Sequence, residues 1–153
     1  MPYIKLTRDK ETLVDEEDYA WLSTWNWCFQ GNYAARRRNR EKGSLAMMHQ
    51  ELAWRWYGQI PEGYMIDHAD RNKLNNTKAN IRIVDKSGNN ANREVKSKSG
   101  YKGVHWSMSN KKWVAEITRK GKHYILGYFV DPQEAHEAYK KAFRELYEMP
   151  YLT

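Results

Sequence analysis

The sequence predicts an α+β fold in two unequal modules, and three observations carry that prediction. Residues 46–57 (AMMHQELAWRWY) place Met48, Leu52, Ala53 and Trp56 at helical spacing. Two short apolar runs, 64–66 and 81–84, bracket a polar, asparagine-rich segment, as two strands joined by a long loop would. Farther on, three strand-like runs within 103–129 precede one amphipathic helix, the pattern of a small three-stranded antiparallel sheet packed on a helix.

Taken in order, residues 3–6 (YIKL) and 32–34 alternate as strands do. Asp15 to Asp18 marks a turn or helix start ahead of Tyr19, Trp21, Leu22 and Trp25, which are expected in the core. Residues 58–63 (GQIPEG) end the helix of 46–57 and turn the chain into the strand at 64–66. After the strand at 81–84, Asp85 or Ser87 caps a helix running through Asn89, Asn90 and Asn92. Residues 95–100 (VKSKSG), polar and basic, are expected to link the modules.

In the second module, 103–107, 112–118 and 122–129 are the strands, separated by compact turns at 108–111 and 119–121. Asp131 before Pro132, with Glu134 at the third helical position, is a strong helix start. Ala135, Ala138, Tyr139, Ala142, Phe143, Leu146 and Tyr147 then give one apolar face. Trp113, Ala115 and Ile117 are expected to face that helix, leaving Val114, Glu116 and Thr118 on an open face shaped for a major groove.

At 153 residues the chain can form one ordinary domain or two small ones. Seven tryptophans and 41% hydrophobic residues require a folded protein, while a mean hydropathy of −0.97 keeps its core small beside its polar surface. No apolar run approaches the ~20 residues that span a bilayer, and the start MPYIKLTRDKE lacks a signal peptide's apolar stretch. A soluble, cytoplasmic protein with no membrane partner is expected. Cys28 stands alone, which excludes a disulfide framework and a Cys-x-x-C zinc clip.

Net charge is +7, and the basic residues concentrate in two blocks, 32–49 and 86–124, around a neutral centre. Arg36, Arg37, Arg38 and Arg40 make up most of the first block. In the second, Lys and Arg interleave with Trp, Tyr and His, as a surface that neutralises phosphate and touches bases requires. Double-stranded DNA is the expected partner.

Between the blocks lies YMIDHADRNKLNNTKANIRIV, residues 64–84. Phosphodiester hydrolysis needs a base for the attacking water and a divalent cation for the charge that develops on phosphate. His68, at a strand end, suits the base because its pKa lies near working pH. Asp67 points the other way from an extended chain and can reach a metal, whose hard-cation character calls for oxygen ligands. The asparagine-rich helix start at Asn89 is placed to supply a second oxygen.

These residues resemble the HNH motif of phage and intron-encoded homing endonucleases. The resemblance rests on His49 opening a helix, Pro61-Glu62-Gly63, Asp67-His68-Ala69-Asp70-Arg71-Asn72-Lys73-Leu74-Asn75-Asn76, Asn80-Ile81-Arg82 and Asn89-Asn90-Ala91-Asn92, across about 45–93. It implies a ββα-metal (His-Me finger) nuclease domain, with His68 as general base and Asp67 and Asn89 on one divalent cation. Asn80 would hold the loop and orient the His68 ring. Asn89 replaces the motif's final histidine, which implies Mg2+ or Mn2+ rather than zinc. Arg71 stands where glycine is usual, altering the loop or contacting phosphate, and Gln50 follows His49 where arginine is common. His49 itself is expected to pack or anchor a hydrogen bond, and Asn72, Asn75 and Asn76 to form turns.

Residues 99–148 resemble the ethylene-response-factor DNA-binding domain of the APETALA class, found also fused to HNH nucleases in phages. Tyr101-Lys102-Gly103-Val104-His105, residues 112–117 (KWVAEI), 126–129 (LGYF) and Glu134-Ala135 with Ala138-Tyr139 carry this likeness. It implies DNA contacts by Lys102, His105, Ser107, Glu116, Thr118, His123, Ile125 and Tyr128. Arginines and tryptophans of the plant domains are replaced at several of these positions, so the target sequence does not transfer. Residues 1–44, with Val14, Asp15, Asp18 and Trp27, look like leaders of such nucleases and are expected as a strand-rich extension that touches DNA.

A metal-dependent DNA endonuclease is therefore the expected function. The alternative is a non-catalytic DNA-binding regulator on a nuclease-derived scaffold, but such a protein is expected to have lost Asp67, His68 or Asn89. An RNA-binding module fits poorly, because it would favour exposed aromatic platforms over a polar sheet face. One centre per chain favours a monomer and a single-strand nick unless chains pair.

Overall fold

A computed structural model describes residues 1–38, 43–91 and 97–149. The chain divides into two compact units, Met1–Val84 and Asp85–Thr153. Residues 1–44 share a unit with the Asp-His segment rather than standing apart, and the division precedes the linker expected at 95–100.

The first unit opens with a hairpin of β1 (Tyr3–Lys5) and β2 (Glu11–Leu13) and continues into helix α1 (Glu16–Leu22). Strands β3 (Cys28–Gln30), β4 (Tyr33–Arg37) and β5 (Leu45–Met47) form an antiparallel sheet with β4 central. Helix α2 (Met48–Tyr57) leaves β5 directly, and β6 (Tyr64–His68) then pairs with β7 (Ile81–Asp85). Strands β2, β3 and β5, three residues each, escape sequence reading; β1, equally short, is legible because its alternation continues to Leu6.

One core joins these pieces. Ile4, Leu6, Val14, Leu22, Trp27, Met48, Leu52 and Ile81 are buried together, with Trp21, Trp25 and Trp56 packed around them. Tyr19, expected inside, is exposed. The buried Asp18 carboxylate accepts hydrogen bonds from Arg55 Nε at 3.1 Å and Trp56 Nε1 at 2.8 Å, tying α1 to α2. Asp15 does not cap α1; its Oδ2 accepts from the Lys78 backbone N at 2.6 Å, fastening the loop after the asparagines.

The second unit begins with α3 (Lys86–Ala91), whose Gly88 N donates to Asp85 Oδ1 at 2.9 Å. Strands β8 (Val104–Ser107), β9 (Lys112–Arg119) and β10 (Lys122–Phe129) form an antiparallel sheet with β9 central, followed by α4 (Pro132–Tyr147). Asp131 caps α4 through Gln133 N at 2.8 Å. Ala115 and Ile117 are buried along with Ala135, Tyr139 and Phe143 of α4. Gly103, at φ +68, is required by space as well as by conformation: a Cβ there would lie 2.1 Å from the Tyr139 ring and 2.7 Å from the Glu116 carbonyl. Among the described residues no helix is long and apolar enough to cross a membrane.

Candidate active site

His68 closes β6 and is 5% exposed. Alternation along the strand sends the neighbouring Asp67 to the opposite side, where its Oδ2 accepts from Arg82 Nε at 3.0 Å and Nη2 at 2.8 Å. The loop between the strands is built by its own side chains. Asp70 Oδ1 accepts from Asn72 N and Asp70 Oδ2 from Asn75 Nδ2, both at 2.8 Å; Asn72 Oδ1 accepts from Leu74 N at 3.1 Å. Arg71 holds φ +65, the left-handed conformation that favours the glycine usual at this position, and its side chain is exposed.

Asn80 is the staple of that loop. Its Nδ2 donates to the Asn75 carbonyl at 2.7 Å, its Oδ1 accepts from Asp70 N at 2.9 Å, and its carbonyl accepts from Ala69 N at 2.9 Å. Asn80 is also expected to orient the His68 ring; both ends of its amide bond backbone, and the side chain hydrogen-bonded to that ring is Asn76, whose Oδ1 lies 3.1 Å from His68 Nε2. Asn76 was expected only to shape the turn; it is 1% exposed and serves the ring.

Three further side chains gather at His68. The His49 ring, from the first turn of α2, meets it edge-on with centroids 5.2 Å apart, and Tyr33 of β4 lies 5.0 Å from His49 and 6.3 Å from His68. Lys73 Nζ sits 4.4 Å from the centre of the Tyr33 ring. Burial, followed by the positive fields of His68 and Lys73, lowers the His49 pKa to about 4. Burial likewise lowers that of His68, against the Asn76 hydrogen bond and the charges of Asp67 and Asp70, with Lys73 adding to the lowering. Both rings are therefore neutral at pH 7, the state in which an imidazole can accept a proton. His49 packs its ring against those of His68 and Tyr33. Neither Tyr33 nor Lys73 carries a sequence signal beyond being aromatic or basic, so both escaped reading.

Asn89 lies on α3, half-buried, within the second unit. The donor chemistry fits a hard cation, which accepts carboxylate and amide oxygens and keeps several waters. Among the described residues no three His, Cys, Asp or Glu side chains converge to hold a metal alone. Asp67 on β6 and Asn89 on α3 each carry an oxygen of that kind, one charged and one neutral. Arg82 now occupies the carboxylate with positive charge of its own.

The arginine block divides. Arg36, expected to contact DNA, has its guanidinium 4.4 Å from the Trp25 ring and 3.2 Å from Glu51. Arg37 is exposed, Arg38 reaches Glu51 at 2.9 Å while remaining at the surface, and Arg40 lies outside the described residues.

In the second unit the register puts His105, Glu116, Thr118, His123, Ile125 and Tyr128 on one face of the sheet. Ile125 and Tyr128, three residues apart, share that face because a bulge at Leu126 resets the alternation. Glu116 sits between two imidazoles, 3.0 Å from His123 Nε2 and 3.5 Å from His105 Nδ1, and Thr118 Oγ1 is 3.1 Å from His123 Nδ1. Ser107 ends β8 and Lys102 precedes it, both half-buried. Val114, expected open, is buried on this face.

Comparison with known proteins adds to this geometry. Residues 47–91 match the sequence model of HNH endonucleases. The chain is 38% identical over 69 residues to Protein 3.8 of Escherichia phage T7, covering 44% of this chain and 57% of that protein. It is 30% identical over 90 residues to an uncharacterized HNH endonuclease of Acanthamoeba polyphaga mimivirus, covering 59% and 46% respectively. The chain thus spans about half the length of the curated relatives it matches, and no solved structure matches it significantly. The matched segment, 47–91, holds Asp67, His68, Asn76, Asn80 and Asn89.

Proposed function

We propose that this protein is a metal-dependent, homing-type DNA endonuclease whose general base is His68. The observation that carries the reading is the buried imidazole of His68, hydrogen-bonded to Asn76 and next in the chain to Asp67, inside the segment similar to HNH endonucleases. His68 takes a proton from the water that attacks phosphorus. Asp67 and Asn89 hold a divalent cation, Mg2+ or Mn2+, which when bound neutralises charge on the phosphate and the leaving oxygen. Asn80 keeps the β6–β7 loop in the ββα-metal arrangement that this reading requires.

The second unit supplies recognition, its sheet face reading a DNA groove in the manner of an ethylene-response-factor domain. Arg37, Arg38, Arg71 and Lys102 add phosphate contacts, which position the duplex without reading its sequence. A carboxylate between two histidines on an otherwise basic unit supports base contact over plain charge attraction.

The test is nicking of supercoiled plasmid with Mg2+, with Mn2+ and with a chelator. Cleavage that needs the cation and falls at least about 100-fold in Asp67→Ala and Asn89→Ala is expected, the scale on which a group acting in the transition state contributes. Cleavage unaffected by either substitution would remove the assigned ligands, and intact plasmid under every cation would remove the activity.

A further inference from the structure

Thr12 lies on β2, outside the segment that matches HNH endonucleases, and is fully buried at 0% exposure. Its Oγ1 donates to the Leu74 carbonyl at 2.9 Å, and that hydroxyl oxygen accepts from Asn76 Nδ2 at 2.8 Å. Because the amide nitrogen of Asn76 faces Thr12, its oxygen faces His68 Nε2 at 3.1 Å. An amide oxygen only accepts, so Nε2 must carry the ring proton. Backbone bonds clamp the chain of donors in place: Leu13 N donates to Leu74 O, and Asn76 N to Leu13 O, each at 2.8 Å.

We propose that Thr12 is a positioning residue for the general base: through Asn76 its hydroxyl fixes His68 as the Nε2–H tautomer and leaves the lone pair on Nδ1. This rests on the nuclease function proposed above. The proton released by the attacking water then goes to Nδ1, and the imidazolium formed keeps donating Nε2–H to Asn76. The direction of each bond follows from the hydroxyl's first commitment. Since the Thr12 proton goes to Leu74, only the oxygen remains for Asn76, and the amide cannot present its oxygen there without two acceptors meeting. The N-terminal hairpin therefore takes part in the active site from 64 residues away in sequence.

Imidazole nitrogen shifts of the full-length protein, recorded by long-range proton–nitrogen NMR, read the tautomer without reference to activity. Wild type should show His68 as Nε2–H. Thr12→Val, which keeps the shape and removes the hydroxyl, should give a mixed tautomer and lower kcat at least about tenfold with KM for plasmid unchanged, as expected when a base loses its orienting partner. Thr12→Ser should restore both the shift and kcat. An Nδ1–H tautomer in wild type overturns the proposal even if Thr12→Val fails to fold. So does a folded Thr12→Val with unaltered shifts and kcat. His68→Ala that nicks plasmid as fast as wild type would instead overturn His68 as the general base in the proposed nuclease and leave the tautomer result standing.

Discussion

At the scale of single residues, the site depends on neutral imidazoles held beside a cation. Lys73 lowers the proton affinity of both His49 and His68. Lys73→Met should raise the His49 pKa from about 4 toward the ordinary histidine value, read by NMR titration of the ring protons. Arg71 illustrates what sequence reading caught without its reason. Its departure from glycine was visible, and φ +65 supplies the physics. Arg71→Gly should stabilise the protein by up to about 1 kcal/mol in urea unfolding, the strain of one left-handed residue. Asp67, His68 and Asn80 stand out in the sequence because they fall in one short patterned run, 64–84. Thr12, Tyr33 and His49 come to the site from other elements, and no local pattern records where such residues will meet.

At the scale of elements, segments long enough to show a period were legible, while the three-residue strands β2, β3 and β5 were not. The second unit was readable almost throughout, since β8, β9, β10 and α4 follow one another with short turns and a strong Asp131-Pro132 start. The buried Val114 was missed because alternation predicts a face and not what covers it. Gly103 at the entry to β8 is the most demanding position of this unit. Gly103→Ala should destabilise it by about 2 kcal/mol or more, because left-handed strain adds to overpacking against Tyr139 and the Glu116 carbonyl. Thermal unfolding of the variant measures this. In the first unit, Asn80→Ala leaves the part-buried Asp70 N and Asn75 carbonyl without their side-chain partner and should cost about 1 kcal/mol, with a loss of nicking as the loop loosens.

At the scale of the whole molecule, His49 couples acid to stability. Its folded pKa of about 4 lies below the ordinary value of 6.5. Between those values the unfolded chain binds a proton that the folded chain does not, so stability is full above pH 6.5 and falls as pH drops toward 4. The loss should reach about 3 kcal/mol at the acid end, and His49→Gln should flatten the dependence in urea midpoints taken from pH 7 to pH 4.5.

The two units also divide the proposed work, base and cleavage loop in the first and recognition face in the second. The account stands most directly on one comparison: single-turnover nicking of supercoiled plasmid with Mg2+ by wild type and by His68→Ala. Wild type is expected to convert the plasmid to open circles, and His68→Ala to do so at least about 1,000-fold more slowly while still binding DNA. Equal rates for the two proteins would contradict it.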